Sequence, residues 1–239
     1  MNSSNSENSA VLNRDGVKEI ARSVARMIAH LVVLLISSGR LDWTNAWIYG
    51  GLYIFWAILY SAVMIKVNPQ LLNERGSKGI PEGTKRFDII FYAVWIPLSF
   101  VILIVCGIDA GRYGWSDMSP ALAVFGVVMS IPAFLFSLWA MTVNPHFEAG
   151  VRIQEERDHR VCSSGPYRMV RHPGYSGLIV LTLCAPLILG SWWGLIPAGM
   201  VALLFIVRTA LEDRTLRDEL PGYAQYSGRV TCRLVPGVW

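Results

Sequence analysis

Charged residues are scarce in this sequence of 239 residues, since Asp, Glu, Lys and Arg make up only 16% of it. In ordinary soluble domains they account for about a quarter of the residues. Hydrophobic residues make up 53%, so the low charge does not reflect a polar, disordered composition. The sequence is therefore unlike that of a soluble domain, and it predicts segments that cross a lipid bilayer.

Motifs for disulfides, metals and nucleotides are also lacking. The four cysteines, at 106, 162, 184 and 232, show no C-x-x-C spacing, which argues against a zinc site and against a disulfide framework. The four histidines show no H-x-x-x-H spacing, which argues against a metal hydrolase. No G-x-G-x-x-G or Walker sequence is present, so a standard nucleotide-binding fold is excluded.

Long uncharged runs are what the sequence has instead, and about 20 residues suffice to span a bilayer. Residues 173–207 form a run too long for one span, and Pro186, the segment GSWWG (190–194) and Pro197 interrupt it. We expect two short helices joined by a tight turn there. The predicted fold is all-α, a polytopic integral membrane bundle of about six transmembrane helices, or five if the first lies in the interface. The other runs are residues 24–38, which is the weakest, 43–65, 89–108 and 118–145.

The lysines and arginines predict the orientation of the bundle. Most of the 21 lie in the N-terminal stretch, in the connections 66–86 and 152–171, and in the C-terminal tail. Because cytoplasmic loops carry an excess of these residues, both termini and these connections are predicted to be cytoplasmic. Residues 1–20 form a polar N-terminus that is expected to be disordered, without a cleavable signal. The topology explains the net charge of +4, which gives no reason to expect nucleic acid as a partner.

The connection of residues 144–175 is long, since two to eight residues are usual between helices. Apolar residues are interspersed with its charges, and it ends in the segment R-H-P-G-Y (171–175). Both features predict a folded, functional loop. Pro173 lacks an N–H and therefore suits the first turn of the following helix. The connection 67–88, in contrast, is expected to be a solvated connector.

Arg208 and Glu212 lie four residues apart, and hence on one helical face, where the last apolar run leaves the membrane. A charge at the membrane edge is costly and tends to be functional. Both residues face the same compartment as the 144–175 loop. We therefore expect a cytoplasmic pocket that is open to the lipid and holds a polar cofactor and an amphipathic substrate.

Three segments carry a resemblance to a known family: GPYRMVRHPGYSG (165–177), RTALED (208–213) and GYAQYSGRVTCRLVPGVW (222–239). Together they resemble the isoprenylcysteine carboxyl methyltransferase family, integral-membrane enzymes related to phospholipid N-methyltransferases. The resemblance covers residues 144–239, which are identified as a methyltransferase-like catalytic region that includes the last helical hairpin and the tail. Residues 21–143 would then hold transmembrane helices 1–4. The resemblance implies S-adenosyl-L-methionine as the cofactor, a lipophilic acceptor from the membrane, and no metal.

The resemblance also implies roles for individual residues. Arg208 matches the arginine that receives the substrate carboxylate, and Asp213 stands where many relatives have a second glutamate. Tyr223 and Tyr226 are expected to pack the tail onto the pocket. The segment 163–177 is interpreted as a cofactor lid, in which proline and glycines fix the turn and side chains grip the cofactor. The implied cofactor contacts are Gln154, His159, Arg160, Val161, Cys162, Tyr167, His172, Pro173, Gly174, Tyr175 and Glu212.

Several functions remain open at this point. The methyl acceptor could be a lipid carboxylate, as Arg208 favours, a phospholipid amine or a small thiol. R-H-P-x-Y also occurs in membrane sterol reductases, so an NADPH-dependent reductase is the main rival. A lipid-binding structural subunit is the third hypothesis, and it would leave the folded 144–175 loop without a purpose.

Overall fold

The computed structural model describes residues 11–77, 83–148 and 150–239, apart from the side chain of Glu156. Within these ranges the chain is helical, with no β-strand. A π-helical turn, Gly107–Tyr113, continues the fourth helix without a break. The α-helices are α1 (Arg14–Ser38), α2 (Thr44–Val67), α3 (Pro69–Gly76), α4 (Arg86–Cys106), α5 (Pro120–Val143), α6 (Pro173–Leu189), α7 (Leu195–Glu219) and α8 (Tyr223–Arg229).

Five of these helices are long and apolar enough to cross a membrane: α1, α2, α4 with its π-helical turn, α5 and α7. Helix α6 is also apolar but has only 17 residues. The prediction of an all-α membrane bundle with five to six spanning helices is confirmed.

The uncharged run of residues 173–207 is divided where the sequence suggests. Helix α6 ends before Gly190, whose φ of +78° suits glycine, and α7 begins at Leu195. The second helix is not short, however, because α7 has 25 residues and continues through Arg208 to Glu219. It continues because Arg208 and Asp213, its buried charged residues, have partners of opposite charge on other elements. Pro197 lies in the first turn of α7, where backbone N–H groups need no intrahelical partner.

The N-terminal helix begins ten residues earlier than predicted, so residues 14–20 are helical instead of disordered. Asn13 caps α1, since its side chain accepts hydrogen bonds from the N–H groups of Asp15 and Gly16. Asn73 of α3 holds this cap in place, because its Oδ1 accepts from Asn13 N at 3.0 Å and its Nδ2 donates to Val11 O at 3.0 Å. Residues 1–10 lie outside the described residues.

The connection 67–88 is not a simple solvated connector. It contains α3, whose Leu71 and Leu72 are 2% and 1% exposed and pack with Met64 and other apolar side chains. These leucines make α3 part of the core. Residues 78–82 of this connection lie outside the described residues.

Close packing of α5 against α6 fixes where the R-H-P-G-Y segment lies. A Cβ at Gly177 would collide with Ser137 Oγ and Ala133 O of α5, so only glycine permits this approach. Ser137 donates a hydrogen bond to Gly174 O at 3.0 Å. The first turn of α6 is thus held against α5, and its residues face the loop that precedes it.

Candidate functional site

A cleft lies between the 144–162 loop, the beginning of α6, the C-terminal half of α7, and α8. The open space between its walls, its mouth included, is about 770 Å³. Its walls contain every residue implied as a cofactor or substrate contact except one. Those residues are Gln154, His159, Arg160, Val161, Cys162, Tyr167, His172, Gly174, Tyr175, Arg208 and Glu212.

The exception is Pro173, which does not line the cleft. It is buried as the first residue of α6, where the missing N–H costs no hydrogen bond. Its contribution is to begin the helix directly after His172. Pro173 therefore sets the turn, and the cofactor contact that the resemblance implies for it stays a prediction.

Glu212 and Tyr175 form the polar centre of the cleft. The Tyr175 hydroxyl donates a hydrogen bond to Glu212 Oε2 at 2.6 Å. The Tyr175 ring lies parallel to the ring of His172, with centroids 5.7 Å apart. The side chain of Glu212 is 18% exposed, so its carboxylate can still meet a ligand in the cleft.

Arg208 is buried deeper in the same wall. Its Nε donates to Asp88 Oδ1 at 2.6 Å, whereas its Nη1 is 3.9 Å from Glu212 Oε2. The guanidinium carbon lies 4.7 Å from the ring centroids of both Phe91 and Tyr175. The main ionic partner of Arg208 is therefore Asp88, and the expected pair with Glu212 is the longer of the two contacts.

Sequence reasoning missed Asp88, which marks only the boundary of an apolar run in the sequence. Asp88 is fully buried near the beginning of α4. Its Oδ2 accepts a hydrogen bond from Val151 N at 2.9 Å, and Lys85 N donates to Val151 O at 3.0 Å. The N–H and the C=O of Val151 are thus both hydrogen-bonded at the beginning of α4, and these two bonds tie the loop over the cleft to that helix.

Arg171 lines the cleft, but its guanidinium is used to hold other parts of the chain. It donates to both carboxylate oxygens of Asp213, and its Nη1 donates to Val230 O at 2.6 Å and to Thr231 O at 2.8 Å. Arg233 Nε also donates to Asp213, at 3.0 Å. The expectation that the side chains of this segment grip the cofactor therefore does not extend to Arg171, which anchors the tail.

Buried tyrosines fasten the tail beside the cleft, as expected. Tyr226 donates from its hydroxyl to Tyr167 O at 2.7 Å, and Tyr223 donates to Asp213 Oδ1 at 2.9 Å. Burial, together with the nearby Asp213, raises the pKa of Tyr223. Burial also raises the pKa of Tyr167. These phenols therefore remain neutral at physiological pH. The hydroxyls of Tyr223 and Tyr226 act as donors, whereas that of Tyr167 accepts a hydrogen bond from Asn144 Nδ2 at 3.0 Å.

The loop side of the cleft is a dense polar network. Both polar atoms of the Gln154 side chain are hydrogen-bonded within this network. Nε2 donates to His146 O and Oε1 accepts from Arg157, both at 2.9 Å. Arg157 also donates to Glu74 Oε2 of α3 at 2.9 Å, and burial raises the pKa of Glu74. The side chain of Gln154 thus shapes the loop although the residue lines the cleft.

His146 lines the cleft, and the sequence did not single it out. Its ring centroid is 4.6 Å from that of His159. Burial lowers the pKa of His146 below its ordinary value of 6.5, so the ring is neutral at pH 7. Nearby, Arg160 donates to Asp158, and both side chains are mostly exposed.

Comparison with known proteins supports the resemblance drawn from these residues. Residues 125–218 match the model of the isoprenylcysteine carboxyl methyltransferase (ICMT) family. The resemblance to this family is confirmed for that segment. The match begins within α5 and ends within α7, so Asp88 lies outside the matched residues.

Two curated relatives give the same result. The chain is 34% identical over 67 residues to proteins described as "Probable protein-S-isoprenylcysteine O-methyltransferase" from Oryza sativa subsp. indica and from Oryza sativa subsp. japonica. The aligned segment is 26% of this chain and 35% of each relative. The chain therefore spans about a third of the length of the curated relatives it matches. Both names describe methyl transfer, and no comparison favours the reductase.

Proposed function

We propose that the protein is a membrane-embedded methyltransferase that transfers a methyl group from S-adenosylmethionine to a carboxylate on a lipophilic acceptor. The observation that carries the proposal is the meeting of three sequence elements in one cleft. The 159–162 loop, the R-H-P-G-Y segment and the Arg208–Glu212 pair all line it. The match to the ICMT family supports methyl transfer as the chemistry.

The lining of the cleft fits S-adenosylmethionine in chemical character. Glu212 offers a carboxylate to an ammonium group or to ribose hydroxyls, and the rings of Tyr167 and Tyr175 suit a positively charged sulfur. A Cβ at Gly174 would come within 2.8 Å of the Phe147 ring, so glycine keeps this corner open. When bound, the cofactor supplies a methyl group on a sulfonium centre. The residues proposed to hold it are His159, Arg160, Val161, Cys162, Tyr167, His172, Gly174, Tyr175 and Glu212.

Arg208 is proposed to receive the carboxylate of the acceptor. A guanidinium presents a planar fork that matches a carboxylate, which a lysine cannot do. A free α-carboxyl group, with a pKa of about 3.5, is already ionised at pH 7, so no general base is required. The protein then has to hold two reactants in line and keep water out, a task that suits a cleft with a buried arginine and aromatic walls.

We further propose that the cleft and both termini are cytoplasmic. The excess of Lys and Arg in the connections on this side of the bundle supports this orientation. The acceptor would reach Arg208 from the membrane, since this residue directly follows the uncharged stretch of α7, residues 195–207.

Thermal unfolding of the detergent-purified protein with S-adenosylhomocysteine, with NADPH or with neither tests the cofactor proposal. A ligand at about a hundred times its Kd stabilises the folded state by roughly 2.7 kcal/mol. We expect a rise in Tm with S-adenosylhomocysteine that is lost in Glu212→Ala and retained in Asp218→Ala, an exposed carboxylate elsewhere on α7. A rise with NADPH alone would support the reductase instead, and no rise with either ligand would support a structural subunit.

A further inference from the structure

One face of α4 forms a seat for Arg208. Asp88, Phe91 and Tyr92 are spaced i, i+3 and i+4, so their side chains lie on the same side of the helix. Asp88 accepts the hydrogen bond from Arg208 Nε, while the rings of Phe91 and Tyr92 have their centroids 4.7 and 5.5 Å from the guanidinium carbon. This face balances the charge of the Arg208 guanidinium and fixes the plane of its fork.

Asp88 also controls the opposite wall of the cleft. Its two oxygens are used separately, Oδ1 by Arg208 and Oδ2 by the N–H of Val151. Arg208 and Val151 both line the cleft, whereas Asp88 does not. One fully buried carboxylate therefore sets the distance between the arginine and the loop that covers it.

We propose that Asp88 is a positioning residue for methyl transfer, acting through Arg208 and Val151 without touching either reactant. The inference rests on the proposed function, in which Arg208 receives the acceptor carboxylate. Because Asp88 already engages the Nε edge of the guanidinium, an acceptor carboxylate meets the terminal nitrogens of a fork whose plane is fixed. The expected role is in the affinity for the acceptor and in the alignment of its carboxylate, and not in binding of the cofactor.

The kinetic test compares Asp88→Asn with Asp218→Asn, a matched change at an exposed carboxylate on α7. We expect Asp88→Asn to raise the KM for the acceptor about tenfold, the effect of losing one hydrogen bond to a charged group. The Kd for S-adenosylhomocysteine should change less than twofold. In a background of Arg208→Gln, Asp88→Asn should raise that KM no further. A folded Asp88→Asn protein whose KM is unchanged, with only a lower apparent kcat, would reduce Asp88 to a structural role and overturn the proposal.

Hydrogen exchange at the amide of Val151 separates this inference from the proposed function. If the wild-type protein transfers no methyl group, the proposed function fails, but the Val151 amide should still lose protection in Asp88→Asn and keep it in Asp218→Asn. Retained protection in Asp88→Asn would contradict the positioning role directly.

If Asp88→Asn does not fold, Phe91→Leu removes part of the same seat without leaving a buried charge unpaired. A smaller rise in the same KM is then expected, and an unchanged KM overturns the proposal.

Discussion

Arg171 donates hydrogen bonds to both carboxylate oxygens of Asp213, at 2.7 and 3.1 Å, and each side chain is only 2% exposed. This pair joins the loop before α6 to the middle of the C-terminal half of α7. Since the same guanidinium binds two carbonyl groups of the tail, the pair also fixes the C-terminal segment beside the cleft. The adjacent residues His172 and Glu212 are thereby directed toward the cleft.

Removing this pair should destabilise the end of the bundle that holds the cleft. Asp213→Asn leaves the buried guanidinium of Arg171 without its counter-charge, which typically costs about 3 kcal/mol or more. We expect a correspondingly lower free energy of unfolding in detergent. Asp218→Asn, at an exposed carboxylate five residues further along α7, should change it by less than about 0.5 kcal/mol. Equal stability of the two variants would show that the Arg171–Asp213 pair contributes little.

Glu212 and Tyr175 should affect cofactor binding more than stability. Glu212→Gln removes the charge that faces the cleft, and we expect affinity for S-adenosylhomocysteine to fall about tenfold or more, as for loss of a charge-assisted hydrogen bond. Tyr175→Phe removes only the hydroxyl that donates to Glu212, so its effect should be smaller. Isothermal titration measures both affinities. If Tyr175→Phe weakens binding more than Glu212→Gln does, the carboxylate is not the main ligand contact.

Substitution by alanine should have opposite effects on stability at Gly177, which lies in the contact between α5 and α6, and at Gly199, which lies in α7. Gly177→Ala should destabilise the protein by about 1–3 kcal/mol, because the added methyl meets Ser137 Oγ and the backbone of Ala133. Gly199→Ala in α7 adds a methyl to open space, and it should stabilise the helix by about 0.5–1 kcal/mol. Chemical unfolding of the two variants checks the prediction. A stabilising Gly177→Ala would mean that the two helices are not in close contact there.

Acidification should loosen the loop over the cleft. The lowered pKa of His146 means that the unfolded chain binds a proton at higher pH than the folded chain does. The stability from neutral His146 is therefore complete above pH 6.5, the ordinary pKa, and is lost as the pH falls from there toward the lower folded pKa. Glu74, with a raised pKa, acts in the opposite sense, since its contribution is lost as the pH rises.

The corresponding measurement is the pH dependence of Tm for wild type and for His146→Gln, a neutral replacement. The neighbours Arg157, Arg160 and Asp158 remain in the variant, so the difference between the two profiles reports on His146. We expect the variant to lose less stability than wild type below pH 6.5. Parallel profiles would contradict a buried, neutral His146.

The sequence predicted those parts of the site that depend on local pattern. Arg208 and Glu212 are four apart on a helix, and Pro173 begins one, so their placement follows from helical geometry and from the chemistry of proline. The break near Gly190 could be predicted because the uncharged run is too long for one span. These features need no knowledge of how distant segments pack.

Features that depend on distant contacts could not be predicted. Asp88 meets Arg208 across 120 residues of sequence, and alone in the sequence it marks only the edge of an apolar run. Arg171 resembles a ligand-binding residue until Asp213, 42 residues away, is seen beside it. The early start of α1 depends likewise on Asn73 of α3. In each case a buried polar partner, invisible in the local pattern, decides the outcome.

Transfer of a labelled methyl group from S-adenosylmethionine to matched lipophilic acceptors tests the central claim most directly. The acceptors are a prenylated cysteine with a free carboxylate, the same molecule with the carboxylate converted to an amide, a phospholipid amine and a small thiol. The account predicts base-labile label, as in a methyl ester, only on the free carboxylate, and its loss in Glu212→Ala but not in Asp218→Ala. Label on the amine or the thiol, or no label on any acceptor, would contradict it.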